Sequence, residues 1–291
     1  MKLLTSLLFF FVTLTLLLTF NNGCKQETES RVPSGIPVPP INGDFAFIPE
    51  LSDEFNGGGL DTSKWFPNNP TWLGRQPAFF SEKNADQVDG RLTLSMKKED
   101  PPEDLKQKGY HTFSTCAVRS KHTVKYGYFE IMSRAMKAKV SSGFWFYSDL
   151  AGLWTEIDVF EICGTGEREN QYNMAVHVFR TPLKEEHWSK GGEWRAPYCF
   201  ADDFHVFGLE WTPYLIRWYV DGVAVKTEEN THWHQPLTLN FDVETQPGWF
   251  GLPDESELPG TFSIEYVRAW RYKSADWKDE GQWAKSIFEQ Q

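Results

Sequence analysis

Between residues 45 and 272 the chain is a succession of short segments in which apolar and polar residues alternate, separated by Gly, Pro, Asn and Asp. Arg91-Leu-Thr-Leu-Ser-Met96, Tyr172-Asn-Met-Ala-Val-His-Val-Phe179 and Leu237-Thr-Leu-Asn-Phe-Asp-Val243 are three of them. Strand side chains alternate between faces, so each segment suits a strand with one face on a core. Cys116-Ala-Val-Arg-Ser-Lys121 and Tyr126-Gly-Tyr-Phe-Glu130 read as a strand pair. Helical periodicity is almost absent. Asp89-Gly90 and Asp221-Gly222 predict tight hairpin turns, because both residue types tolerate positive φ. The pattern argues an all-β fold, a β-sandwich. At 291 residues the chain has room for one large β domain or two small ones.

One stretch carries chemistry. Trp154-Thr-Glu156-Ile-Asp158-Val-Phe160-Glu161 sets three carboxyl groups among good strand formers. Glu156 and Asp158 share a face; Glu161, three residues on, falls on the other face of a regular strand. One extra residue near Val159-Phe160, a β-bulge, would bring it back into line. Neighbouring carboxyl groups disfavour each other's ionisation, which supplies a carboxylate and a protonated acid together. Glycoside hydrolysis needs such a pair. A chance cluster of acids on a solvated face is the competing reading.

Glu156-Ile-Asp-Val-Phe-Glu161 resembles the signature of glycoside hydrolase family 16, in its longer form with one inserted residue. Further likeness runs over about residues 45–272: Glu50-Leu-Ser-Asp-Glu-Phe55 as an opening strand, Asp61-Thr-Ser-Lys-Trp65, Tyr126-Gly-Tyr-Phe-Glu130, Ile216-Arg-Trp-Tyr-Val-Asp-Gly222 and Phe262–Trp270. The resemblance implies a concanavalin A-like jelly-roll sandwich with an open cleft, suited to endo-cleavage of a polysaccharide with retention of configuration. By the same resemblance Glu156 is the nucleophile, Asp158 the assisting acid and Glu161 the acid/base. No metal or cofactor is expected.

Composition fits a sugar-binding protein. Aromatic residues make up 16% of the chain, with 13 Trp, and Trp stacks well on sugar rings. The net charge of −11 argues against nucleic acid. Residues 1–24, Lys2 followed by an apolar run ending at Cys24, read as an export signal of the lipoprotein type, with membrane attachment only through a lipid on Cys24. Pro-rich residues 25–41 read as a flexible linker, 42–272 as the catalytic domain and 273–291 as an extension with a short helix. The expected product is a monomer, exported and held at the cell surface or secreted. Cys116, Cys163 and Cys199 are core thiols or contain one disulfide.

Substrate-binding candidates are Trp72, Arg75, Arg119, Trp145, His177, Trp194 and Arg195. Trp72 and Arg75 stand on a proline-bounded loop, where Trp72 is either a sugar platform or a plug for the sandwich end. Trp145 faces the cleft or the core. His177 lines the cleft or is structural. Arg75, Arg119 and Arg195 are sulfate contacts or ordinary surface arginines. Residues 181–200 read as a long binding loop carrying Trp194 and Arg195. Trp194-Arg-Ala-Pro197 and His232-Trp-His-Gln-Pro236 resemble the κ-carrageenases of the family, whereas Phe241–Phe250 has an agarase or porphyranase flavour. The expectation is cleavage of a β-1,4-galactosidic bond in κ-carrageenan or furcellaran, then agar or porphyran, then a β-1,3-glucan. A transglycosylase and a non-catalytic glycan-binding lipoprotein are the other classes.

Overall fold

The computed structural model describes residues 39–150, 152–182 and 187–273. The export signal, Cys24, most of the linker and all but the first residue of the C-terminal extension lie outside them. The strands are β1 (Phe45–Phe47), β2 (Trp65–Phe66), β3 (Phe79–Phe80), β4 (Ala85–Val88), β5 (Arg91–Lys98) and β6 (Phe113–Val124). There follow β7 (Gly127–Arg134), β8 (Ser141–Leu150), β9 (Leu153–Ile162), β10 (Gln171–Arg180) and β11 (Trp188–Arg195). The last are β12 (His205–Trp211), β13 (Leu215–Val220), β14 (Val223–Glu229), β15 (Leu237–Glu244) and β16 (Gly260–Tyr272).

They form a jelly-roll sandwich of two antiparallel layers. One layer runs β11-β10-β9-β8-β15-β6 and carries the acidic stretch; the other runs β5-β16-β7-β12-β13-β14. Pairing of Lys97 and Lys98 with Ser114 and Phe113 joins the layers at one side. Between them lie alternate residues of both layers, all withdrawn from water: Phe146 against Phe129 at 4.8 Å, and Phe160 against Phe207 at 4.6 Å. The two expected hairpin turns are present, with positive φ at Asp89, Gly90, Asp221 and Gly222.

Three expectations change. Glu50–Phe55 is a 3-10 turn at Pro49–Leu51 and a single bridge from Asp53 to Val267, not a strand. The Asp53 carboxylate accepts from the Phe55 N–H and from Trp65 Nε1, turning the chain there. Cys116–Lys121 and Tyr126–Glu130 do not pair: β6 bonds β15 and β7 bonds β12 and β16, in opposite layers. Residues 181–200 contain β11, which edges the acidic layer. Of the two readings of Cys116, Cys163 and Cys199, the structure has the thiols: all three are free.

The bulge in β9 is where expected. Phe144 faces Phe160 and Trp145 faces Asp158, leaving Val159 unpaired; across the other edge Met174 alone spans Val159 and Phe160. The side chains of Val159 and Phe160 both enter the core. Bulges disrupt the ladder locally, and here the Asp158 carbonyl accepts from Trp218 Nε1 of the facing layer at 2.9 Å. The Glu156 carbonyl accepts from Trp233 Nε1 at 2.8 Å. Trp218→Phe keeps an aromatic side chain but removes the buried N–H donor together with the volume of the five-membered ring. We expect it to lower stability by about 1–3 kcal/mol, read as a shift in urea midpoint at unchanged slope; an unchanged midpoint would exclude Trp218 as the brace of the bulge.

Candidate active site

Residues directly opposite in an antiparallel pair project to the same side, so the register of the acidic layer defines the site as three rows. Thr238, Tyr147, Glu156 and His177 form one; Asn240, Trp145, Asp158 and Ala175 the next; Asp242, Gly143, Glu161 and Asn173 the third. The bulge puts Glu156, Asp158 and Glu161 in successive rows on one face. They open into a cavity of about 660 Å³ that is also lined by Trp72, Arg75, Trp145, Trp154, Asp242, Glu244 and Trp249. Gly143 makes space in the third row, because a Cβ there would stand 2.5 Å from Asp242 Oδ1.

His177 Nε2 is 3.0 Å from Asp158 Oδ2, and its Nδ1 is 3.1 Å from His187 Nε2. Glu156, Asp158 and His177 each bring one ligand atom within 4.8 Å of the others, a set able to hold a cation. Trp145 Nε1 donates to Asp242 Oδ2 at 2.9 Å. Arg75 grips Glu244 with Nε and Nη2 at 3.1 and 3.3 Å. Gln246 Nε2 donates to Glu161 Oε1 at 3.1 Å and to Glu244 Oε1 at 2.6 Å.

Five carboxyl groups therefore share one cavity with one arginine. Burial, then the charges of Asp158 and Glu161, push Glu156 well above the usual carboxylate range. Burial, then Asp158 and Glu244, do the same to Glu161, with Arg75 pulling the other way. Asp242 is raised by burial and by Glu244; Glu244 is raised by burial, against the pull of Arg75. Such a site can hold a proton on one carboxyl while another stays a nucleophile.

The structure brings Trp72, Arg75, Trp145 and His177 together with the three acids. Trp72 meets Trp145 edge-on at 6.3 Å, so it belongs to the cavity wall and not to a plug. Arg119 does not line the cavity: it sits on the same sheet face, opposite Asn240, and reaches the wall through Thr71 Oγ1 at 3.1 Å. Trp194 turns away from the cleft. Strand alternation in β11 sets it opposite Tyr172 and packs it on the core. Arg195 is on the cleft side but beyond the cavity, paired with Glu193 at 2.8 Å. Sequence reasoning missed Asp242, Glu244, Gln246, Trp249, Trp154 and Tyr147. Asp242 and Glu244 had a signal, the same i, i+2 spacing in a strand that marks Glu156 and Asp158.

A family model described as β-porphyranase A–D, GH16 domain, matches residues 45–272. The chain belongs to glycoside hydrolase family 16. β-Porphyranase D of Zobellia galactanivorans is 30% identical over 89% of this chain and 70% of its own length. κ-Carrageenase of Pseudoalteromonas carrageenovora is 26% identical over 75% of this chain and 63% of its own. The crystal structure of porphyranase B from Z. galactanivorans superposes with a TM-score of 0.69 at 26% identity, covering 82% of this chain and 97% of that one. As a family 16 member the chain is a retaining endo-glycosidase.

The raised carboxyl groups predict a pH dependence of stability. A carboxyl whose pKa is raised by folding stabilises the folded state fully below its unfolded value, about 4, and that contribution is lost as pH climbs towards the folded value. Asp242→Asn removes one such group at constant shape. Its melting temperature should gain on the wild type progressively from pH 4.5 to pH 8; curves that stay parallel would show that Asp242 carries no raised pKa.

Proposed function

We propose that this protein is an endo-hydrolase of a sulfated red-algal galactan, porphyran first, with Glu156 as nucleophile and Glu161 as acid/base. The observation that carries the chemistry is the bulge-set column of Glu156, Asp158 and Glu161 on the floor of one cavity. Glu156 attacks the anomeric carbon as the glycosidic C–O bond breaks, and Glu161 gives its proton to the departing sugar oxygen. Glu161, now a carboxylate, takes a proton from water, which attacks the same carbon and releases Glu156. Asp158, between them and bonded to His177, fixes the charge next to the nucleophile.

Porphyran is placed ahead of κ-carrageenan and furcellaran because the family model and the 30% identical relative both carry the porphyranase name. Trp194 and Arg195, two of the residues behind the carrageenase expectation, lie outside the cavity. Arg75, beside Trp72, is the proposed sulfate contact there; Arg119 reaches the wall only through Thr71. A κ-carrageenan reading keeps the support of the 26% identical κ-carrageenase. Export, with a lipid on Cys24, is proposed for residues 1–24, as is a monomeric enzyme.

Reducing ends released from porphyran, κ-carrageenan, furcellaran, agarose and laminarin, with oligosaccharide acceptors added in parallel, test the substrate. Porphyran should give the highest kcat/KM, without transfer products predominating. On the preferred polymer, Glu156→Gln should abolish turnover and Glu161→Gln should cost at least about 10²–10⁴ in kcat, each with the fold intact. Near-full activity in either variant overturns the assignment.

A further inference from the structure

Gln246 stands two residues beyond Glu244, the last residue of β15, and opens a tight turn. Its carbonyl accepts from Trp249 N at 2.9 Å and Phe250 N at 2.8 Å. Thr245 Oγ1 donates to the Arg75 carbonyl at 2.6 Å, so the segment is stitched to the loop that carries Arg75. The side-chain amide is thereby delivered between two carboxyl groups. An amide nitrogen has two hydrogens, and here its two acceptors are Glu161 and Glu244. Glu244 is in turn held by the Nε–Nη2 edge of the Arg75 guanidinium.

We propose that Gln246 is a positioning residue for Glu161: its amide fixes the orientation of that carboxyl, weakens its hold on a proton, and links it through Glu244 to Arg75. The inference rests on the reading of Glu161 as acid/base. The charged groups facing Glu161 are Glu156 and Asp158 from its own strand, Asp242 and Glu244 from β15, and Arg75 from the loop. From β10 and β8 the opposite residues are Asn173 and Gly143, which are uncharged. Donation to a carboxylate favours the ionised form, so the amide and Arg75 act together against burial and the four other acids. The backbone bonds of the turn do not use the amide and survive its replacement.

The experiment compares Gln246→Leu, Glu244→Gln and Glu161→Gln with the wild type on two substrates. One is the preferred polysaccharide; the other is a dinitrophenyl β-glycoside of its oligosaccharide, whose leaving group departs without a proton. With Gln246→Leu, kcat on the polysaccharide should fall about tenfold or more at nearly constant KM. The basic limb of kcat/KM should move up by about one pH unit, and kcat/KM on the dinitrophenyl glycoside should stay near wild type. Glu244→Gln removes a negative charge and frees Arg75, so its basic limb should move down. Equal losses on both substrates with an unmoved basic limb overturn the proposal, leaving Gln246 a structural role. If Glu161→Gln shows the leaving-group dependence and Gln246→Leu does not, this inference alone falls. A Glu161→Gln variant active on the polysaccharide overturns the acid/base assignment and this inference with it.

Discussion

Val159 decides which way Glu161 points. Without this unpaired residue the strand would keep its period of two, and Glu161 would enter the sandwich, where an unpaired carboxylate is costly. With it, Val159 and Phe160 both fill the core and Glu161 returns to the face of Glu156 and Asp158. The distortion leaves the backbone in need of partners, and the facing layer meets that need through the Trp218 indole, which reaches across the core to the Asp158 carbonyl. Trp233, from the segment between β14 and β15, donates likewise to the Glu156 carbonyl. Part of the tryptophan content therefore braces the acidic strand instead of facing sugar.

The face so built concentrates negative charge. Glu156, Asp158, Glu161, Asp242 and Glu244 share a wall with Arg75, and burial adds to their mutual repulsion. Neutral donors spread the load: Trp145 on Asp242, and Gln246 between Glu161 and Glu244. Gly143 contributes by lacking a side chain. The arrangement costs stability above the ordinary carboxylate range of pH and gives in exchange protons held where a leaving oxygen would need one.

Much of this was legible in the chain because both signals are local. Strand alternation gave the sandwich, and Glu156-Ile-Asp-Val-Phe-Glu161 cannot align its three acids without an extra residue. What was not legible depends on partners distant in sequence. Alternation marks Cys116–Lys121 and Tyr126–Glu130 as strands without saying that they belong to opposite layers. β11 was concealed by Gly191, Gly192 and its charges, which suit an exposed edge. Once β11 is a strand, alternation sends Trp194 to the core and leaves Arg195 at the rim. Asp242 and Glu244 join the site only because β15 pairs with β8, a register no local pattern contains.

The proposed nucleophile, Glu156, is the group on the bulged strand that would bond to sugar. Trapping that bond identifies it. A 2-deoxy-2-fluoro oligosaccharide with a dinitrophenyl leaving group forms the glycosyl-enzyme faster than water removes it. Mass spectrometry of the digested protein should then find one oligosaccharide, attached at Glu156. An adduct on Asp158 or Glu161, or none in an enzyme that turns over the polysaccharide, would remove Glu156 as the nucleophile.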